Sequence, residues 1–192
     1  NAFKSPRVIN GHSMEMLDAG ALDFRILHRF GKINQGFYDM FGLDNASMRM
    51  GFDYGITPNL TVGVGRSTSR KELDGFLKYR LLWQSRGSKS IPVSLVLVGG
   101  LTHNGLKEPF SSLEIEPNFA RRTAYYTQAI VGRKFSEKFS AQLVPTWLHR
   151  NIVENTLVPN DMFALGFGAR YKFVKRVALV VDYYYAFNRF PD

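Results

Sequence analysis

The chain alternates apolar and polar residues with a period of two along about nine separate stretches, and almost nowhere shows the period of an amphipathic helix. Successive side chains of a strand point to opposite faces, so each stretch reads as a two-faced strand. From Ala21 to Phe30, Leu22, Phe24, Ile26 and Phe30 share one face while Asp23, Arg25 and Arg29 share the other. From Ala46 to Ile56, Met48, Met50, Phe52, Tyr54 and Ile56 oppose Ser47, Arg49, Gly51, Asp53 and Gly55. The other stretches are Leu60–Ser67, Leu73–Gln84, Pro92–Thr102, Arg122–Phe135, Phe139–Arg150, Met162–Phe173 and Val177–Phe187; Pro92–Thr102 is apolar on both faces. The expected fold class is therefore all-β and antiparallel. No run of eighteen apolar residues occurs, which removes a transmembrane helix and leaves a β-barrel as the only way for this chain to span a bilayer.

Alternation alone would also suit a soluble sandwich or a lipocalin-like barrel, so the placement of aromatic residues has to discriminate. If the first strand runs outward and each successive strand reverses, the apolar-face aromatics Trp83, Phe135, Phe139, Tyr171 and Phe173 fall near one end. Phe30, Tyr125, Trp147, Phe163, Tyr185 and Phe187 fall near the other. One parity thus yields two belts, as membrane-interface aromatics form in an outer-membrane barrel. Ten residues at about 3.3 Å each, tilted roughly 40°, span about 25 Å, the height of such a barrel's apolar band. The connections obey the same parity: Thr57-Pro58-Asn59, Ser136-Glu137-Lys138 and Val174-Lys175-Arg176 are tight turns at the first end, expected to be periplasmic. Gly31–Asn45, His103–Arg121 and Asn151–Asp161 are longer loops at the second, expected to be extracellular. Two connections depart from this pattern, a short outer one near Arg70 and a longer inner one over Ser85–Ile91.

One domain is expected over 1–192, with a periplasmic N-terminal segment over 1–19 and barrel strands over 20–192. Its opposite, polar strand faces would line a lumen containing Arg25, Arg29, Arg49, Lys78, Arg80, Arg150 and Arg170 with Asp23, Asp53, Asp74 and Asp182. In a narrow barrel these charges would pair across it and, with Phe76, Tyr184 and Gln142, fill it as a plug of side chains. In a wide one, the excess of basic groups would favour small anions. The formal charge of +9 is spread over all segments with no basic cluster or nucleic-acid motif, so the expected partners are outer-membrane lipid and other outer-membrane or periplasmic proteins, not nucleic acid.

Motifs for bond-making chemistry are sparse. Cysteine is absent, and His12, His28, His103 and His149 lie far apart with no metal-ligand spacing. A hydrolase needs a nucleophile within reach of a histidine, yet Ser140 and His149 fall at opposite ends of one strand, roughly 20 Å apart. No catalytic residue, metal or cofactor is expected. Gly63-Val64-Gly65 and Gly166-Phe167-Gly168 precede no helix, so their glycines read as lumen positions that admit long neighbouring side chains. Pro145 cannot donate to a ladder, and a bulge or local break is expected there.

Several segments together resemble a family of β-barrel proteins from Bacteroidota outer membranes, known only as a domain of unknown function. They are Val8-Ile9-Asn10-Gly11-His12-Ser13, Leu22-Asp23-Phe24-Arg25, His28-Arg29-Phe30-Gly31, Phe41-Gly42-Leu43-Asp44, Gly51-Phe52-Asp53-Tyr54-Gly55-Ile56-Thr57, Asp74-Gly75-Phe76-Leu77-Lys78-Tyr79-Arg80, His149-Arg150-Asn151 and Pro159-Asn160-Asp161. The resemblance covers most of the chain and implies an up-and-down barrel and its location; it brings no activity with it. It also implies that members continue past the point where this chain stops. Strand parity agrees: a ninth outward strand followed by Arg189-Phe190-Pro191-Asp192 leaves an odd count, so further strands are expected to close the sheet.

Two functional expectations stay open, a passive channel for small anionic solutes and a structural or accessory subunit of an outer-membrane complex. Either way, an unheated sample should migrate differently from a boiled one on a semi-native gel, because a closed barrel satisfies its own backbone and resists detergent. Identical mobility together with ready solubility in plain buffer would contradict a membrane barrel.

Overall fold

The computed structural model describes residues 1–85, 87, 90–107, 116, 118–153 and 159–188. Nine strands form a single antiparallel sheet: β1 (Leu22–Arg29), β2 (Ser47–Thr57), β3 (Leu60–Ser67), β4 (Leu73–Leu82), β5 (Ser94–His103), β6 (Thr123–Lys134), β7 (Phe139–Arg150), β8 (Asp161–Val174) and β9 (Val177–Ala186). Each strand pairs only with its neighbours in sequence, the up-and-down order that the alternation predicts. Expected and observed strand ends differ by at most two residues, and for β3 and β7 they coincide. Among the described residues β1 and β9 do not pair with each other, so the sheet has two free edges. Residues 189–192 and 154–158, and most of the span between Lys107 and Asn118, lie outside the described set.

The face assignment follows the side-chain period. Along β2, Met50, Phe52, Tyr54 and Ile56 are exposed on the convex face, while Gly51, Asp53 and Gly55 are buried on the concave one. Short turns gather at one end of the sheet, where β2–β3, β6–β7 and β8–β9 connect. The ladder irregularities at Gly55/Thr57, Arg80/Leu82 and Lys172/Val174 lie at the same end, as bulges favour sheet rims. The long-loop end carries the β1–β2, β5–β6 and β7–β8 connections. In the first of these, Gly42 has φ +87° and packs so closely on Gly31 and Lys32 that a Cβ would meet the Gly31 carbonyl carbon at 2.6 Å. At Pro145 the β6–β7 ladder skips two pairs and resumes in the same register, whereas β7–β8 pairing runs straight through. The break is local, without a bulge, because the missing N–H costs the ladder on one side only.

The concave face holds a feature the strand pattern does not disclose. Residues 2–16 fold back onto it and complete an apolar core of Ala2, Phe3 and Met14 with Phe76, Val96, Val98, Ile130 and Val144. Most of the segment over 1–19, expected to be periplasmic, lies inside the sheet's curve. The physical reason is the apolar inner surface of β5 to β7, where Val96, Val98 and Ile130 are 0% exposed beneath the segment. This also explains why the fifth strand is apolar on both faces.

Candidate functional site

The segment is a hairpin. Arg7 and His12 pair across it, Val8 N–H donates to the Gly11 carbonyl at 3.0 Å, and Ser13 N–H donates to the Pro6 carbonyl at 2.8 Å. Ser13 Oγ donates to the Ser5 carbonyl at 2.6 Å, and the Glu15 carboxylate accepts the N–H groups of Ala2 and Phe3. Its base, at Ala2 and Met14, lies near Trp83 and Gln84 at the short-turn end. Its tip, Val8 to Gly11, reaches toward the long-loop end.

Side chains from four strands hold the hairpin by its backbone, and one from a fifth, β2, meets the Arg7 side chain. Lys78 of β4, 1% exposed, donates from Nζ to the carbonyls of Pro6 at 3.2 Å and Glu15 at 2.5 Å. Gln142 of β7 bonds twice, accepting from Met14 N–H at 3.0 Å and donating to the His12 carbonyl at 2.7 Å. Asp182 of β9 accepts both N–H groups of the tip, Asn10 at 3.0 Å and Gly11 at 2.8 Å. Arg170 of β8 donates to the Ala2 carbonyl at 3.2 Å. Asp53 of β2 faces Arg7 at 3.7 Å, and Arg7 and His12 both lie against the Phe76 ring. At Gly11 the approach is so close that a Cβ would sit 2.6 Å from the Tyr184 hydroxyl.

The eleven charges expected in the lumen divide by depth. Asp53, Lys78, Arg170 and Asp182 hold the hairpin, while Arg25 pairs with Asp23 and Arg49 pairs bidentately with Asp74. Arg80 lies at the short-turn rim, bonded to Asn59 at 2.9 Å and stacked over Trp83 at 4.6 Å. Arg29 and Arg150 are exposed at the long-loop rim. Of the expected filling residues, Phe76, Gln142 and Tyr184 all meet the hairpin or its tip. The lumen glycines behave as their spacing predicts, since the missing Cβ atoms leave room for Phe76 at Gly63, Arg49 at Gly65, Tyr184 at Gly166 and Gln142 at Gly168.

Ten of the eleven belt aromatics are exposed on the convex face, in two bands. Phe135, Phe139, Tyr171 and Phe173 stand at the short-turn end; the eleventh, Trp83, is turned toward the concave side beside Ala2, Met14 and Ser94, because the bulge at Arg80/Leu82 reverses the parity of β4. Phe30, Tyr125, Trp147, Phe163, Tyr185 and Phe187 stand at the long-loop end. Register makes neighbours of them: Phe139 faces Tyr171, Trp147 faces Phe163, and Tyr125 faces His149. Between the bands the surface is apolar on strand after strand, with Phe24, Phe52, Val64, Leu77, Leu97, Leu143, Phe167 and Val181 exposed. A continuous apolar face of this extent needs a nonaqueous contact. A family model described as a membrane bound beta barrel domain, DUF5777, matches residues 3–192. The chain belongs to that family. Comparison with curated proteins and with solved structures gives no match.

The family match covers the hairpin as well as the strands, and Val8-Ile9-Asn10-Gly11-His12-Ser13 forms the tip and the first residues beyond it. Strand periodicity misses these residues because side-chain-to-backbone anchoring has no period. The available signal was the inward apolar row Val96, Val98, Ile130 and Val144, which a water-filled lumen would not carry. His149, considered for nucleophilic chemistry, points outward and bonds to Asp161 at 2.9 Å and Asn151 at 3.2 Å, whereas Ser140 is buried on the concave face.

Burial holds the His12 imidazole well below its ordinary pKa, and the cations Arg7, Lys78, Arg49 and Arg25 add to the effect. Burial also lowers Arg7, against the opposing pull of Asp53. An undocked hairpin would let His12 titrate near about pH 6.5. The undocked state then binds more protons below that value, so docking is complete above it and is lost as pH falls through it. Between about pH 7.5 and about pH 5.5 the undocked population should rise about tenfold. Trypsin cleavage after Arg7 measures this; cleavage independent of pH over that interval would contradict it. Gln142→Leu should have a similar effect at neutral pH, since it orphans Met14 N–H and the His12 carbonyl at about 1–3 kcal/mol each. The same assay should show at least tenfold faster cleavage after Arg7 than in the unsubstituted protein.

Proposed function

We propose that this protein is an outer-membrane barrel whose lumen is closed by its own N-terminal hairpin, and that it serves as a structural or accessory component and not as a standing channel. The observation that carries this reading is the docking of residues 2–16 on the concave face, with Lys78 buried under them. A permanently open pore would leave that ammonium and the apolar row of Val96, Val98 and Ile130 facing water with nothing to bind. In this reading the short turns face the periplasm, the long loops face outward, and the two aromatic bands sit at the lipid interfaces. Lipid is the constant partner, the rims are where other envelope proteins would contact it, and no catalytic residue is assigned.

One observation keeps a channel reading in view. The hairpin is joined to β1 through a linker at the short-turn end that includes Gly20 at φ +79°. It is thus a separable element and not a strand of the wall, and a barrel freed of it would present Arg49 and Lys78 to passing anions. Planar-bilayer recording of the native protein tests both. The expected result is no sustained conductance at neutral pH, with conductance appearing when residues 2–15 are deleted. Sustained, anion-preferring conductance from the intact protein would overturn the closed-lumen reading in favour of a passive channel.

A further inference from the structure

Among the described strand residues of the convex face, Arg133 of β6 is the only charged one near the short-turn aromatic band. A lipid-facing arginine is costly unless its head reaches the interface. The Arg133 guanidinium lies 5.4 Å from the centre of the Phe135 ring, two residues nearer the end of the strand, so the side chain leans that way. It is exposed, and it makes no hydrogen bond or ion pair with any described residue. Beside it runs an apolar groove of about 440 Å³ lined by Val131, Arg133, Phe135, Ala141, Leu143 and Phe167. The groove exists because Ala141 stands across from Arg133 on one side and from Ala169 on the other, between the bulkier Phe139 and Leu143 of its own strand.

The two turns at this corner add charge of one sign. Residues 133–138 and 172–176 hold Arg133, Lys134, Lys138, Lys172, Lys175 and Arg176 against a single carboxylate, Glu137. The turns are adjacent, since Lys172 N–H donates to the Lys138 carbonyl at 2.8 Å. Lys134 and Lys172 keep the inward parity, whereas Lys138, Lys175 and Arg176 are exposed at the tips. Glu137 borders the opening at the hairpin base beside Asn1 and Ala2, not the groove, and forms no ion pair with any described residue. The β2–β3 turn at the same end, Thr57-Pro58-Asn59, carries no charge.

We propose that this corner binds an anionic glycerophospholipid, with an acyl chain in the groove and the phosphodiester on the Arg133 guanidinium. A guanidinium fork matches paired phosphate oxygens. The exposed cations of the two turns favour a headgroup without an ammonium of its own over a zwitterionic one. The site rests on the membrane-barrel reading of the convex face and is independent of the hairpin.

Native mass spectrometry of the intact, detergent-solubilised protein tests the assignment with two probes, dioleoylphosphatidylglycerol and dioleoylphosphatidylcholine. The first phosphatidylglycerol should bind at least about fivefold more tightly than the first phosphatidylcholine, the effect of one cation near a headgroup. Arg133→Gln should weaken phosphatidylglycerol binding about tenfold, the ordinary effect of losing a charged hydrogen bond. Arg66→Gln, on the convex face at the long-loop end, should leave it unchanged. Ala141→Phe fills the groove and should weaken the binding of both lipids. Heat-dependent gel mobility of the same samples reports the barrel separately. With that shift retained, equal affinity for the two lipids, or unchanged phosphatidylglycerol binding in Arg133→Gln or in Ala141→Phe, overturns the site alone. Absence of the shift in the unsubstituted protein overturns the membrane reading and the site together.

Discussion

An ammonium group enclosed on the concave side of a membrane barrel must be given acceptors, and Lys78 receives them from the hairpin. Burying a charge without compensation costs several kcal/mol or more, so Lys78 and the carbonyls of Pro6 and Glu15 require one another. The remaining anchors extend the same logic. Gln142 treats the hairpin as a strand, offering both a donor and an acceptor, and Asp182 closes the tip by accepting two adjacent N–H groups. Each contact joins a strand side chain to hairpin backbone. The concave face therefore recognises the path of the segment more than its side chains, and Phe3 and Met14 supply the apolar contribution.

Steric fit reinforces the polar anchoring. Small residues stand where long ones need space: Met14 lies over Gly132, Val8 and Gln142 over Gly168, and the Asp18 carbonyl against Gly55, where a Cβ would collide with it. A barrel wall bearing side chains at these positions would have no room for the segment. The glycines thus serve the contents of the lumen as well as its curvature, and they tie the residues of the wall to those of the N-terminus.

The wall was legible in the sequence because two different solvents act on its two faces. Lipid on one side and a partly polar interior on the other impose a strict period of two, and β2 shows it residue by residue from Met50 to Ile56. The aromatic bands follow from the same parity. Depth was less legible than face. Arg80 and Arg150 share the inward parity of Lys78, yet they lie at opposite rims, because a period gives the side of a sheet and not the height at which a charge finds its partner. The hairpin was not legible at all from its own residues, whose bonds run to strand side chains between 63 and 172 positions away, as from Met14 to Gln142. It left its trace in the wall, in a fifth strand apolar on both faces.

Hydrogen exchange on the membrane-inserted protein measures the central claim directly. If the hairpin occupies the lumen, the amides of Phe3, Gly11, Ser13 and Met14 are hydrogen-bonded and enclosed, and they should exchange as slowly as those of the neighbouring strands β4 and β7. Exchange of all four at the rate of an unstructured peptide, with β4 and β7 still protected, would contradict the account.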